Sequence, residues 1–123
     1  MNREILFRGK RDGDGEWVMG DRAGYSDYVM IWDLIDKGVG YLVDHTTVGQ
    51  FTGLCDKNGK KIFEGDIVFA GYGEYYQGQH EHSATMIIDM ADYEALNALC
   101  NANVVEVIGN IHDTPDLAKE ESE

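Results

Sequence analysis

Val48-Gly-Gln-Phe-Thr-Gly-Leu-Cys-Asp-Lys-Asn-Gly-Lys-Lys-Ile-Phe-Glu-Gly-Asp-Ile-Val68 contains two strand-like runs, two turns and the start of an apolar run. Gln50 to Cys55 and Lys61 to Phe63 flank Asp56-Lys-Asn-Gly-Lys60. Asn58-Gly59 is the strongest short-range signal for a hairpin. Phe51 and Phe63 are placed to face each other across that hairpin as an aromatic pair. Glu64-Gly65-Asp66 then reads as a second tight turn, releasing Ile67-Val-Phe-Ala70 into the core. A Gly-Asp turn feeding an apolar strand fits a small SH3-like or otherwise irregular barrel built around the hairpin.

The flanking chain has the same character. Glu4 to Arg8 and Glu16 to Met19 are short strand candidates joined by Lys10-Arg-Asp-Gly-Asp-Gly15, whose repeated Asp-Gly is turn chemistry. Alternation puts Ile5 and Phe7 on one face and Leu6 on the other, with Trp17 packing over the hairpin. Tyr28 to Trp32 and Gly40 to Asp44 read as strands, as do Ser83 to Met90 and Val104 to Ile111. Asp89 or Asp92 can cap a helix in which Tyr93, Leu96, Leu99 and Cys100 recur at helical spacing, with Asn103 as its stop. Thr114-Pro115 opens a further turn, and residues 118–123 form an acidic tail expected to fray. The fold class is therefore mainly β (all-β to α+β), with one helix near residues 91–102, in a single domain over residues 1–123.

Charge excludes more than it selects. The formal net charge is -13, from 23 acidic and 10 basic residues. Residues 62–118 contain no Lys or Arg, and ten Asp or Glu fall within them. Such a chain repels phosphate backbones, so direct nucleic-acid binding is not expected; an anionic membrane surface is disfavoured for the same reason. No apolar run approaches the roughly 20 residues of a spanning helix. The N-terminus lacks a basic and then apolar leader, so a cytoplasmic location is expected. Cys55 and Cys100 fit that compartment as free thiols.

A second stretch, Val105-Glu-Val-Ile-Gly-Asn-Ile-His-Asp-Thr-Pro-Asp-Leu117, completes a pattern with the first. Together with Arg3-Glu-Ile-Leu-Phe-Arg8 and Gly15-Glu-Trp-Val18, the two stretches closely resemble the YopX family of small phage and prophage proteins. The resemblance covers residues 3–18, 47–68 and 104–117. Its most specific pieces are residues 48–54, 56–60, 64–68 and 107–111. The chain departs from the family pattern at Phe51, Cys55 and His112. The resemblance implies a small, predominantly β protein of phage origin, acting in a bacterial host cell, and it transfers no catalytic residues.

Candidate site residues gather between Gly71 and His82, a Gly-rich stretch read as a long loop or a loosely paired hairpin. Tyr72, Tyr75 and Tyr76, with Glu74 and Glu81 beside them, have the composition of a binding surface: rigid amphipathic rings among adaptable neighbours. The alternative is that the tyrosines cover the open end of the barrel. His80 and His82 fall on one face of a strand and supply two metal ligands, too few for a site without a third. Neither cysteine has a cationic or helix-N-terminal setting that lowers a thiol pKa, and Cys100 falls on the apolar helix face. Glu64 and Asp66 belong to a turn, and no phosphate-binding loop is present. No catalytic set and no cofactor are expected. The sequence reads best as a phage-encoded accessory protein that binds a host or phage protein through a basic surface on that partner, and it is compatible with self-association. The alternative is a small enzyme or a nucleotide- or ligand-binding module using Gly71 to His82.

Overall fold

Strands form where β-branched and aromatic runs lie between Gly- and Asp-rich turns, and the computed structural model describes them over residues 5–25, 28–36 and 38–116. In chain order they are β1 (Phe7–Lys10), β2 (Trp17–Gly24), β3 (Val29–Asp33), β4 (Gly40–Val43), β5 (Gly49–Cys55), β6 (Lys61–Phe63), β7 (Asp66–Tyr76), β8 (Gln79–Ile87) and β9 (Val104–Asn110). A 3-10 turn, His45–Thr47, precedes β5, and the helix α1 (Tyr93–Cys100) lies between β8 and β9. The protein is mainly β, as its sequence indicates. It divides into two compact units, residues 1–53 and 54–123, with the boundary inside β5.

In the first unit the strands are hydrogen-bonded in the order β4-β3-β2-β1-β5, each pair antiparallel. Alternation sends Val18, Ile31 and Val43 to one face, where they form a buried cluster with Phe7, Val29, Tyr41 and Val48 against it. Strand packing is tightest at Gly20, where an added Cβ would stand 1.7 Å from the backbone oxygen of Trp32. Just ahead of β1, Leu6 is buried and Ile5 exposed. Trp17 does pack over the first hairpin: the Arg8 guanidinium lies 4.5 Å from its ring centroid and the Lys10 ammonium 5.4 Å. That contact explains how Arg8, a charged residue, is buried in the first strand.

The expected small SH3-like or irregular barrel does not form; the sheets are open. In the first unit, among the described residues, β4 returns to the end of β1 through the bridge Arg11↔Val43. Two bonds support it, Asp12 N–H to the Leu42 carbonyl at 3.0 Å and Asp44 N–H to the Lys10 carbonyl at 2.9 Å. An isolated bridge does not supply the staggered ladder that closure needs. In the second unit the sheet β8-β7-β9 has three strands, too few to close on itself.

The second unit holds the end of β5, β6, the three-stranded sheet and α1. Its core is Ile62, Val68, Ala70, Ile88 and Leu99, backed by Leu54, Tyr72, Met86, Leu96, Val105 and Val107. Asp92 caps α1 by accepting the Ala95 N–H at 3.0 Å, one of the two caps the sequence offers. The helix is shorter than residues 91–102, with Asn101 rather than Asn103 at its C-terminal cap. Its inward stripe is narrower than the spacing predicts. Leu96 and Leu99 pack inward, while Tyr93 is 83% exposed and Cys100 is exposed. Eight residues give barely two turns, so only the central i, i+3 pair reaches the sheet. Helical backbone restarts at Pro115, and the acidic tail 118–123 lies outside the described residues.

Candidate functional site

The stretch from Gly71 to His82 is a paired hairpin, not a loop. Pairing of β7 with β8 runs from Ile67↔Ile87 to Tyr72↔His82, then skips and resumes at Tyr75↔His80 and Tyr76↔Gln79. Gly73 sits in the skip at φ +76°, and the tip residues Gln77 and Gly78 also have positive φ. A straight strand at about 3.3 Å per residue would carry Tyr76 roughly 23 Å from Phe69. Instead Phe69 and the tip residues Gly78 and Gln79 line one cavity of about 530 Å³, so the hairpin bends at its irregularity.

Two glycines of β7 let side chains of β8 lie flat on that strand. A Cβ at Gly71 would be 2.5 Å from the His80 ring, and one at Gly73 would be 2.7 Å from a Glu81 carboxylate oxygen. The bent hairpin therefore presents two concavities. The larger is lined by Phe69 and Val104 on the sheet, by Gln79, His80 and Ser83 on β8, and by Lys57 and Glu106. The smaller, about 300 Å³, is lined by Glu74, Gln77, Gln79, His80 and Glu81.

Lys57 reaches the larger cavity because Asp56 fixes the turn that carries it. One Asp56 carboxylate oxygen accepts the N–H groups of Asn58 and Lys60, both at 2.9 Å, and the other accepts the Val107 N–H at 3.1 Å. Lys57 N–H donates to the Val105 carbonyl at 2.9 Å, and Lys57 Nζ pairs with Glu106 at 3.1 Å. Burial pushes the Asp56 carboxyl up, but the N–H donors of Val107, Lys60 and Asn58 outweigh it and hold the group below its usual pKa. Asp66 acts similarly at the next turn. Its carboxylate is buried and accepts the Phe63 N–H at 2.8 Å, while Gly65 takes φ +93°.

The residues proposed from sequence are thus partly brought together. Glu74, Glu81 and His80 line one concavity, with Glu74 and Glu81 exposed. Tyr72 points elsewhere. Half-buried against the core, it donates its hydroxyl to the Ala98 carbonyl at 2.9 Å and ties β7 to α1. Tyr75 and Tyr76 lie in β7 in register with His80 and Gln79. His82 is exposed opposite Tyr72, while His80 packs on Gly71. Among the described residues no group of three or more His, Cys, Asp or Glu is placed to hold a metal ion. Cys55 and Cys100, both exposed, line a further cavity of about 300 Å³.

Sequence reasoning missed Phe69, Ser83, Lys57 and Glu106 as cavity residues. Phe69 reads as core in an apolar run, and only the bend of the hairpin makes its outward face a floor. Lys57 and Glu106 meet across a sequence distance that no local pattern reports.

The family model described as YopX protein matches residues 6–119. Among solved structures, the crystal structure of protein EF1440 from Enterococcus faecalis is 22% identical, with 94% of this chain and 99% of that chain covered, at a TM-score of 0.48. No curated protein matches the chain. Among the described residues, no helix is long and apolar enough to cross a membrane.

Proposed function

The chain belongs to the YopX family, and from that premise we propose that it is a phage- or prophage-encoded accessory protein that binds a partner protein through the partner's basic surface. It acts in the cytoplasm of the bacterial host, without catalysis of its own. The observation that carries this reading is the exposure of its carboxylates. Residues 62–118 hold no Lys or Arg. Within them Glu74, Glu81, Asp89, Asp92, Glu94, Asp113 and Asp116 are all exposed. A surface charged with one sign attracts a basic cleft from a distance and raises the encounter rate, and it repels nucleic-acid phosphates. The attraction is screened over about 8 Å at physiological ionic strength, so such a complex is salt-sensitive by construction.

The test is capture from host lysate on the tagged full-length protein, followed by elution in a salt gradient. The reading expects a discrete protein, basic on its contacting face, that is retained at low salt and released as salt rises. Retention of no discrete protein at low salt, or of one indifferent to salt, would sink it.

A further inference from the structure

We propose that the cavity over Phe69 is a binding site for a neutral, planar heteroaromatic molecule of nucleobase or nucleoside size. The cavity has about 530 Å³, within the range of roughly 300–1,000 Å³ that small-molecule sites occupy. Its floor is apolar, Phe69 with Val104, and an aromatic ring in a floor is a stacking platform for a flat ligand. Its rim is polar in one particular way. Gln79 and Ser83, both exposed, each carry both a hydrogen-bond donor and an acceptor, which is what the mixed edge of a heteroaromatic ring requires.

Charge narrows the ligand further. The cavity holds one cation and one anion, and Lys57 and Glu106 already neutralise each other at 3.1 Å. A charged ligand would have to break that pair to gain a partner. A phosphate would also enter the field of a unit, residues 54–123, that carries four Lys against fourteen Asp or Glu. The free base or nucleoside therefore fits where the nucleotide does not. Gly78 also lines the cavity and has open space where a Cβ would stand. This site is independent of the proposed protein contact, and the two stand or fall separately.

The test uses the full chain, labelled with nitrogen-15, titrated with adenosine, guanosine, cytidine and uridine and with each 5′-monophosphate. At least one nucleoside should give saturable shifts at Gln79, His80, Ser83 and Val104, and its monophosphate should bind roughly tenfold more weakly or worse. Gln79 and Ser83 are exposed, so Gln79→Ala and Ser83→Ala should weaken that nucleoside several-fold with an unchanged melting temperature. Phe69→Leu, which keeps an apolar floor and removes the ring, should weaken it as well. Failure of every nucleoside to saturate would overturn the proposal. So would shifts mapping elsewhere, monophosphates binding as tightly as nucleosides, or Gln79→Ala and Ser83→Ala variants that bind like the parent.

Discussion

The Asp56 carboxylate accepts the backbone N–H of Val107 at 3.1 Å, fastening the turn between β5 and β6 to β9, 51 residues further along the chain. Two of the most specific stretches of the sequence thus meet at one buried side chain. Asp56 stands at the head of Asp-Lys-Asn-Gly-Lys60, and Val107 opens Val-Ile-Gly-Asn-Ile111. The carboxylate serves three N–H groups, so its loss leaves several donors without an acceptor.

Asp56→Ala should accordingly destabilise the protein by about 3 kcal/mol, read from denaturant melts. The sign of the pH effect follows from the depressed pKa. Its contribution is complete above the unfolded-state value near 3.8 and is lost as pH falls through the lower folded value. Comparison of Asp56→Asn with the parent should therefore show a stability gap that is constant at neutral pH and narrows below about pH 4. A gap that persists unchanged in acid would mean that the carboxylate charge is not what the turn uses.

Glycine substitutions should separate two kinds of constraint. Gly20→Ala drives a methyl into the Trp32 carbonyl, 1.7 Å away, and should cost about 3 kcal/mol or more. Gly59 has open space around it but φ +80°, so Gly59→Val should cost about 1–3 kcal/mol through backbone strain alone. Gly59→Asn should cost less, because Asn tolerates that region. Gly13→Ala, with no neighbour within 4 Å and no positive φ, is the control and should melt like the parent. Equal melting temperatures for Gly59→Val and the parent would remove the turn assignment.

Protection from hydrogen exchange should fall along β7. Ile67, Val68 and Ala70 are fully buried, whereas Gln77, Gly78 and Gln79 are exposed beyond the irregularity at Gly73. Amides at 66–70 should exchange far more slowly than those at 77–82. Tyr72→Phe, which removes the bond to the Ala98 carbonyl, should cost about 0.5–1.5 kcal/mol and loosen α1 before the sheet. Greater protection at 77–82 than at 66–70 would contradict the placement of the core.

Legibility in the sequence follows how local the causes are. Asn58-Gly59 and the Asp92 cap are readable because each turn or cap is decided within four residues. The open form of the sheets is not, because closure depends on how β4 meets the end of β1, and a single bridge at Arg11 and Val43 decides it. Burial of Arg8, on the same strand face as the buried Leu6, runs against its charge rather than against alternation, and the Trp17 ring beside it comes from the next strand. In the candidate site, His80, Glu74 and Glu81 stand out by composition and do share a concavity. Phe69, Ser83 and the Lys57–Glu106 pair line the other concavity, which shares Gln79 and His80 with the first. Gly71 and Gly73 have the composition of a loop. They are strand residues kept bare for the side chains of His80 and Glu81.

The most direct measurement of the functional account is the affinity of the captured partner for the full-length protein across a salt series. It should be paired with a variant carrying Glu74→Gln, Glu81→Gln, Asp89→Asn and Glu94→Gln. All four side chains are exposed, and the Asp89 carboxylate accepts the local N–H of Ala91 at 2.9 Å, a bond that Asn can keep. The variant should therefore stay folded with a melting temperature close to the parent's. The account predicts that affinity for the parent falls steadily as salt rises, and that the variant binds weakly at low salt and shows a flatter salt dependence. Equal affinity at low and high salt, or a folded variant that binds as tightly as the parent, would contradict it.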